Sequence, residues 1–183
     1  MGKRVKQNWN TGLLKPDEVE ATARLYRQSW IDTFTSPPYD VSTEFAEEKM
    51  KRKFSQDEID RLRDEAKTEF EDQNRAWFVA RTQEGEVIGV VAPKHQDDER
   101  QQRVGAIYVD QEYRGHGAAD ELMEAAIDWL DTTKPLYLWV AEQNERAIGF
   151  YRRQDFEPVV GEINHFYEKD IPHIKMVRTG DNQ

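Results

Sequence analysis

Residues 106 to 130 constrain the fold more than any other stretch of this chain. Ala106-Ile107-Tyr108-Val109 is a short apolar run ready for a strand, and Leu122, Met123, Ala126, Ile127 and Leu130 recur at the spacing of one helix face. Between them lies a tight turn with two glycines, Arg114-Gly115-His116-Gly117-Ala118-Ala119. A strand that turns at once into an amphipathic helix must lay that helix back on its own sheet, since the helix has one apolar face to bury. The junction also has chemistry. The first N–H groups of the helix lack an intrahelical acceptor and sit at the positive end of the dipole. Glycine lets the backbone approach an anion with no side chain in the way. Such a turn can cradle a pyrophosphate, and Arg114 can add a charge-assisted contact.

The rest of the chain divides by hydrophobic period. Pro16-Asp17-Glu18 opens a helix, with proline in the first turn and acids facing the positive dipole end. Val19, Thr22, Ala23, Tyr26, Trp30, Thr33 and Phe34 continue it, and Ser36-Pro37-Pro38 ends it. A second helix is expected from about Ser42 to Phe54. A third should start at Ser55-Gln56-Asp57-Glu58, a capping-box pattern, with Ile59, Leu62, Ala66 and Phe70 on one stripe. After Asn74 the period shortens. Strands are expected at Trp77–Ala80, Val87–Val91, Val104–Val109, Leu136–Val140, Phe156–Val160 and Ile174–Val177. Pro93 to Gln102 reads as a polar connection, and Asn144 can cap a short helix reaching Arg153. Helices, three strands, helix, strand, helix and strands, with no visible boundary, predict one domain over residues 1–183, a sheet with helices on both sides.

Composition narrows the function classes. With net charge −10, the chain has the wrong sign for a general nucleic-acid binder. No apolar run is long enough for a membrane span, and the basic start Met1-Gly2-Lys3-Arg4 leads into no apolar run, so no secretory leader is expected. Lys6 stands where a myristoylation signal wants Ser or Thr. There are no cysteines, which excludes thiolate chemistry, and no His, Asp and Glu residues are spaced like metal ligands. The expectation is a cytoplasmic protein with no metal, no membrane and no nucleic-acid partner.

The glycine turn alone selects no family. It lacks the Gly-Lys-Ser/Thr of a phosphate loop and the three spaced glycines of a dinucleotide fold. Its surroundings are more specific. Ile107-x-Val109-x-x-x-Tyr113-Arg114-Gly115-His116-Gly117-x-Ala119-x-x-Leu122-Met123 resembles the acyl-CoA motif of the GNAT superfamily of N-acetyltransferases, with Arg114, Gly117 and Ala119 filling its core pattern. Asn144 to Pro158, with Ala147, Phe150-Tyr151 and Phe156, is similar to the family's second motif. The resemblance covers about Trp77 to Val177. It departs from the common pattern at Gln111, where many relatives have proline, and at Asp155, where many have glycine.

The resemblance implies an α+β, three-layer GNAT fold: a mixed, mostly antiparallel sheet of six to seven strands between helices. It implies acetyl-CoA as co-substrate, with the pyrophosphate on Arg114, Gly115, His116, Gly117, Ala118 and Ala119. The pantetheine arm would lie in a splay beside the strand, against backbone groups of Ile107 and Val109. Asn144 matches a residue that contacts that arm, and Tyr151 matches the tyrosine that protonates the departing thiolate. Several relatives place a glutamate base on the strand before the turn, but Arg103 to Tyr108 holds no acid, so no base is assigned.

The acceptor is the least constrained part. Trp30 to Phe34 and Asn164-His165-Phe166-Tyr167 resemble a branch that includes spermidine/spermine acetyltransferases. A small cationic amine such as a polyamine would suit an acidic mouth, for which Asp32, Glu44, Glu47 and Glu48 are candidates. The alternatives are transfer to a protein N-terminus or lysine, and a non-catalytic acyl-CoA-binding module. A homodimer is compatible with the family, though no interface is legible.

Overall fold

The computed structural model describes residues 9–71, 74–95, 102–166 and 171–180. Five helices lie among them: α1 (Val19–Phe34), α2 (Thr43–Lys53), α3 (Gln56–Lys67), α4 (Ala118–Trp129) and α5 (Glu145–Arg152). The strands are β1 (Trp9–Leu13), β2 (Phe78–Thr82), β3 (Val87–Val91), β4 (Lys94–His95), β5 (Gln102–Arg103), β6 (Ile107–Val109), β7 (Leu136–Ala141), β8 (Glu157–Phe166) and β9 (Ile171–Arg178). Residues 96–101 of the polar connection, Tyr167 with the charged residues after it, and Gly2 and Lys6 lie outside the described residues.

Local chemistry accounts for the helix ends. The Ser42 hydroxyl accepts from the Phe45 N–H and the Ser55 hydroxyl from the Glu58 N–H, each satisfying one orphan donor of a first turn. The Glu58 carboxylate pairs with Arg61 and, at 2.9 Å, with Arg75. Pro16 to Glu18 form a 3-10 turn that runs straight into α1.

Two core clusters lie on opposite faces of the sheet. One packs α1, α2 and α3, through Tyr26, Trp30, Phe34, Met50, Phe54, Ile59 and Leu62, against Trp77 and Val79. The other packs α4 and α5, through Leu122, Met123, Ala126, Tyr151 and Phe156, against Ile88, Val104, Leu138 and Met176. This is the three-layer α+β arrangement.

Hydrogen bonding orders the strands β1-β2-β3-β6 and β4-β5-β7-β9-β8. β3 and β4 are one run broken at Ala92-Pro93, and β5 and β6 are one run broken at residues 104–106, so the described residues form seven strands. All pairs are antiparallel except β5 with β7.

The expected strand Val104–Val109 is broken at residues 104–106, the last strand begins at Ile171 instead of Ile174, and three further features differ from the sequence reading. β1 was not expected, because the alternation of Trp9, Thr11 and Leu13 is masked by Asn10 and Gly12. Lys94–His95 is a short strand inside the expected loop. β8 runs six residues past Val160, to Phe166, with its register against β9 shifting between Pro158 and Ile163.

β1 is fastened by a buried ion pair. Arg81 Nε lies 2.6 Å from Glu18 Oε1, and Arg81 also donates to the Leu13 carbonyl at 2.9 Å. Removing one partner of such a pair costs about 3–5 kcal/mol, because the other charge stays buried.

Candidate active site

The break between β5 and β6 opens the sheet. Val104 and Ile107, three residues apart, both pack in the α4 core cluster, so the strand carries one extra residue between them. A Cβ on Gly105 would stand 1.9 Å from the Ala92 carbonyl oxygen, so only glycine allows the two runs to approach here. Before the bulge the chain pairs with β7, Gln102 against Leu136 and Arg103 against Tyr137. After it, β6 pairs with β3 alone. β6 and β7 therefore diverge.

Ladder geometry shows what lines the gap. The Asp110 N–H donates to the Ile88 carbonyl at 2.8 Å, on the β3 side. Antiparallel pairing alternates, so Tyr108 also bonds toward β3, and the N–H and C=O groups of Ile107 and Val109 point into the gap. The Val109 carbonyl already accepts from Arg114 Nε at 2.9 Å. Three of the four backbone groups of these two residues thus remain for a ligand.

The glycine turn closes the open end. Asp110 caps a 3-10 turn, Gln111 to Tyr113, by accepting from the Glu112 N–H at 2.9 Å, a start that needs no proline at position 111. Gly115 and Gly117 take left-handed φ of 79° and 104°, and Gly117 is the N-cap of α4 with no side-chain cap. The first helical bonds run from Asp120 and Glu121 to the Gly117 carbonyl, so the N–H groups of Ala118 and Ala119 precede them and have no intrahelical acceptor. Space above Gly115 is open, His116 is exposed, and the Ala118 side chain is buried. The turn fits a phosphate group.

The acids at this terminus are turned aside. Glu121 accepts from Trp9 Nε1 and Thr11 Oγ1, each at 3.1 Å, and Asp120 accepts from Gln154 at 2.9 Å. Trp9 also packs edge-on against Tyr113. The overlooked strand β1 thus buttresses the turn.

A cavity of about 410 Å³ joins Arg114 to Asn144, Arg146, Asp32 and Tyr39. Burial and the neighbouring Arg146 charge lower the Arg114 guanidinium from its ordinary value, while Asp110 and Asp32 oppose them. The Asn144 side-chain oxygen caps α5, accepting from the Ala147 N–H at 3.1 Å, which leaves its amide donors for a second partner. Tyr151 is buried with Phe150 and Phe156, and burial pushes its phenol well above the usual tyrosine range.

The fold that carries this cleft has counterparts among known proteins. The acetyltransferase (GNAT) family model matches residues 21–156. This chain belongs to that family and is an acetyltransferase. The PaiA N-acetyltransferase from Thermoplasma acidophilum, in complex with coenzyme A, superposes with a TM-score of 0.72 at 16% identity, over 93% of this chain and 98% of that one. The ribosomal-protein-S5-alanine acetyltransferase from Vibrio fischeri gives 0.67 at 17% identity, over 97% and 96%. The spermidine N-acetyltransferase from Vibrio cholerae, in complex with CoA and spermine, gives 0.66 at 18% identity, over 96% and 97%. These likenesses establish the fold. No curated protein matches the chain in sequence.

On the α1–α3 face of the acetyltransferase, the acids expected to line an acidic mouth do not stand alone. Glu44, Glu47 and Glu48 share a surface groove of about 880 Å³ with Arg27, Lys51 and Arg52, and Asp32 lies in the cavity with Arg114 and Arg146. Beside the groove, the exposed Lys53 carries its Nζ 5.0 Å over the Tyr26 ring and 5.6 Å over the Phe54 ring, and Tyr26 meets Tyr108 of β6 edge-on at 4.7 Å. His173 is buried on β9, stacked on Phe34, with Nδ1 2.9 Å from the Ile171 carbonyl. That contact puts the proton on Nδ1 and the acceptor lone pair on Nε2. Burial, and after it the Arg103 charge, lower its pKa against the pull of the Ile171 bond. The sequence reading passed over Arg103, Lys53 and His173.

Among the described residues no helix is long and apolar enough to cross a membrane, and no group of three or more His, Asp or Glu side chains is placed to hold a metal.

Proposed function

We propose that this chain, acting as one domain, moves the acetyl group of acetyl-CoA to a primary amine by direct attack on the thioester. The observation that carries the reading is the divergence of β6 from β7 beside the Gly117-capped start of α4. In this scheme Arg114, Gly115, His116, Gly117, Ala118 and Ala119 hold the pyrophosphate. Ile107, the Val109 N–H and the Asn144 amide hold the pantetheine arm. A backbone N–H in the gap polarises the thioester carbonyl as charge develops on its oxygen. The amine nitrogen forms the new bond to carbon, the carbon–sulfur bond breaks, and the amine gives its surplus proton to water.

Tyr151 protonates the departing thiolate. A free phenol and a free alkyl thiol are nearly matched in acidity, but burial makes this phenol the weaker acid. The group is thus held protonated when the thiolate forms, and the Arg103 charge acts in the other direction, favouring release of the proton.

A small cationic acceptor such as a polyamine is favoured by the net charge of −10 through long-range attraction. The grooves add nothing local to it, since their acids alternate with bases. The test is a panel of polyamines, amino acids and peptide amines with acetyl-CoA, read by free thiol release. Transfer to at least one amine is expected. Acetyl-CoA binding without transfer to any of them would return the chain to the class of acyl-CoA-binding modules.

A further inference from the structure

The cavity of about 410 Å³ at the open end of the cleft is lined by two arginines, Arg114 and Arg146, and by two acids, Asp32 and Glu145. Elsewhere in this acidic chain such neighbours pair: Arg63 binds Glu20 and Asp60, Arg75 binds Glu58 and Glu65, and Arg81 binds Glu18. Here they do not. Among the described residues no carboxylate pairs with either guanidinium of the cavity. Arg114 commits its Nε to the Val109 carbonyl, which leaves its terminal nitrogens. The Arg146 guanidinium has no hydrogen-bond partner among the described residues, and Asp32 accepts from Gln28 at 2.7 Å instead.

A third donor lines the same cavity. Tyr39 packs on Phe34 at 5.1 Å, and its hydroxyl is buried with no hydrogen-bond partner. Burial raises this phenol above the usual tyrosine range, so it remains a donor at neutral pH. A buried O–H without an acceptor costs stability, and a ligand oxygen removes that cost.

Arg146 also stands where its charge is least welcome. Asn144 is the N-cap of α5, so Arg146 is the second residue of the helix, at the positive end of its dipole. Its charge opposes that of Arg114. An exposed arginine by itself signifies nothing. A cation set against a helix dipole and a second cation, on the wall of a cavity that holds an unpartnered hydroxyl, is relieved by an anion in that cavity. The cavity is continuous with the cofactor site, since Arg114 belongs to the glycine turn and Asn144 to the side proposed for the pantetheine arm.

We propose that Arg146, assisted by Tyr39, is a second phosphate-binding group for acetyl-CoA, alongside Arg114 in this cavity. The N–H groups of the turn and Arg114 take one phosphate, and the forked donors of Arg146 take another. This rests on the acetyl-transfer reading and deepens it: a side chain outside the glycine turn selects a phosphorylated acetyl donor over a short thioester.

Calorimetry with three donors tests it: acetyl-CoA, acetyl-dephospho-CoA, which lacks the ribose phosphate, and acetyl-pantetheine, which has no phosphate at all. Arg146→Gln should weaken acetyl-CoA by about tenfold, the scale of one charge-assisted hydrogen bond, and leave acetyl-pantetheine within about twofold. Arg146→Lys should keep part of the affinity. Tyr39→Phe, which retains the ring on Phe34, should cost about threefold. Acetyl-dephospho-CoA identifies the group: a loss equal to that for acetyl-CoA assigns Arg146 to the diphosphate, and no loss assigns it to the ribose phosphate. Unchanged acetyl-CoA affinity in Arg146→Gln, or an equal loss with acetyl-pantetheine, would overturn the proposal. Wild-type protein that binds none of the three donors would overturn the acetyl-transfer reading itself. Wild-type protein that binds acetyl-CoA, beside an Arg146→Gln variant that binds it equally well, would overturn only the role of Arg146.

Discussion

The cleft and the larger surface groove are built from different materials. At the open end of the cleft, the groups available to a ligand are main chain: the N–H groups before the first helical bonds of α4, two left-handed glycines, and the strand groups of Ile107 and Val109. On the α1–α3 face the groove is lined by side chains instead: Arg27 from α1 and Glu44, Glu47, Glu48, Lys51 and Arg52 from α2. A site made of main chain needs particular residues at fixed short spacing, because a turn is local. A site made of side chains needs only a charge at the right place in space, and that place is set by the packing of distant elements.

The largest expected effect follows from the main-chain end. Gly117→Glu puts a side chain on a residue at φ 104° and a negative charge where a phosphate would sit. A like charge against a bound anion costs several kcal/mol, so acetyl-CoA affinity should fall by roughly 10²-fold or more. Calorimetry on folded protein checks this, and unchanged affinity would remove the turn from cofactor binding. Amine specificity should be untouched at saturating acetyl-CoA.

The same contrast explains what was legible in the sequence. The spacing of Leu122, Met123 and Ala126 and the pair Gly115 and Gly117 follow from local geometry, so helix, turn and cradle could be read directly. The caps Ser55 and Asn144 could be read for the same reason. The bulge at Gly105 could not, because the need for glycine comes from Ala92 across the sheet. Trp9 and Thr11 were missed as buttresses of α4, since their partner Glu121 lies more than 100 residues away. Glu44, Glu47 and Glu48 looked like an acidic mouth because they were read without Lys51 and Arg52 on the same helix, where Arg52 pairs with Glu48 four residues back, and because Arg27 reaches the groove from α1.

Tyr151 probes the chemistry rather than either binding function. Tyr151→Phe keeps the ring that packs on Phe156 and removes the acidic proton. It should lower kcat by about 10²-fold with acetyl-CoA affinity nearly intact. The pH dependence carries the sign of the burial shift. Because the phenol is pushed above its ordinary value, wild-type kcat should show no loss from tyrosine ionisation up to about pH 10. A stopped-flow measurement of the chemical step that finds the two proteins equal would exclude Tyr151 as the acid.

Arg114 sharpens the comparison, since it is a half-buried side chain beside the main-chain groups of the cleft. Arg114 is anchored through Nε to the Val109 carbonyl and shares its cavity with Asn144 and Arg146. Arg114→Gln should weaken acetyl-CoA by about tenfold, the scale of one charge-assisted contact, and leave the preference among acceptor amines unchanged. If it instead altered that preference, the separation of cofactor binding from acceptor choice would fail.

The smallest effect concerns the joint that holds Tyr151. At the end of α5 the Phe156 N–H donates to the Tyr151 carbonyl at 3.0 Å and the Asp155 N–H to the Arg152 carbonyl at 3.1 Å. This is the Schellman pattern, with Asp155 in the left-handed position at φ 63° and Phe156 packed back on Tyr151. Asp155 is exposed and stands where many relatives have glycine, so the turn keeps its geometry with a residue that strains it. Left-handed backbone costs an ordinary residue about 1–2 kcal/mol and an Asp less, while glycine loses about 0.4–1 kcal/mol more in ordering. The two nearly cancel, and the balance favours glycine by up to about 0.5 kcal/mol. For a chain of this length that is a rise in Tm of about 1–2 °C. Calorimetric melting of Asp155→Gly measures it, and kcat should not change, because the bonds that orient α5 come from the main chain. A fall in Tm would mean that the Asp155 side chain contributes to the turn, and a change in kcat would mean that it reaches the active site through Tyr151.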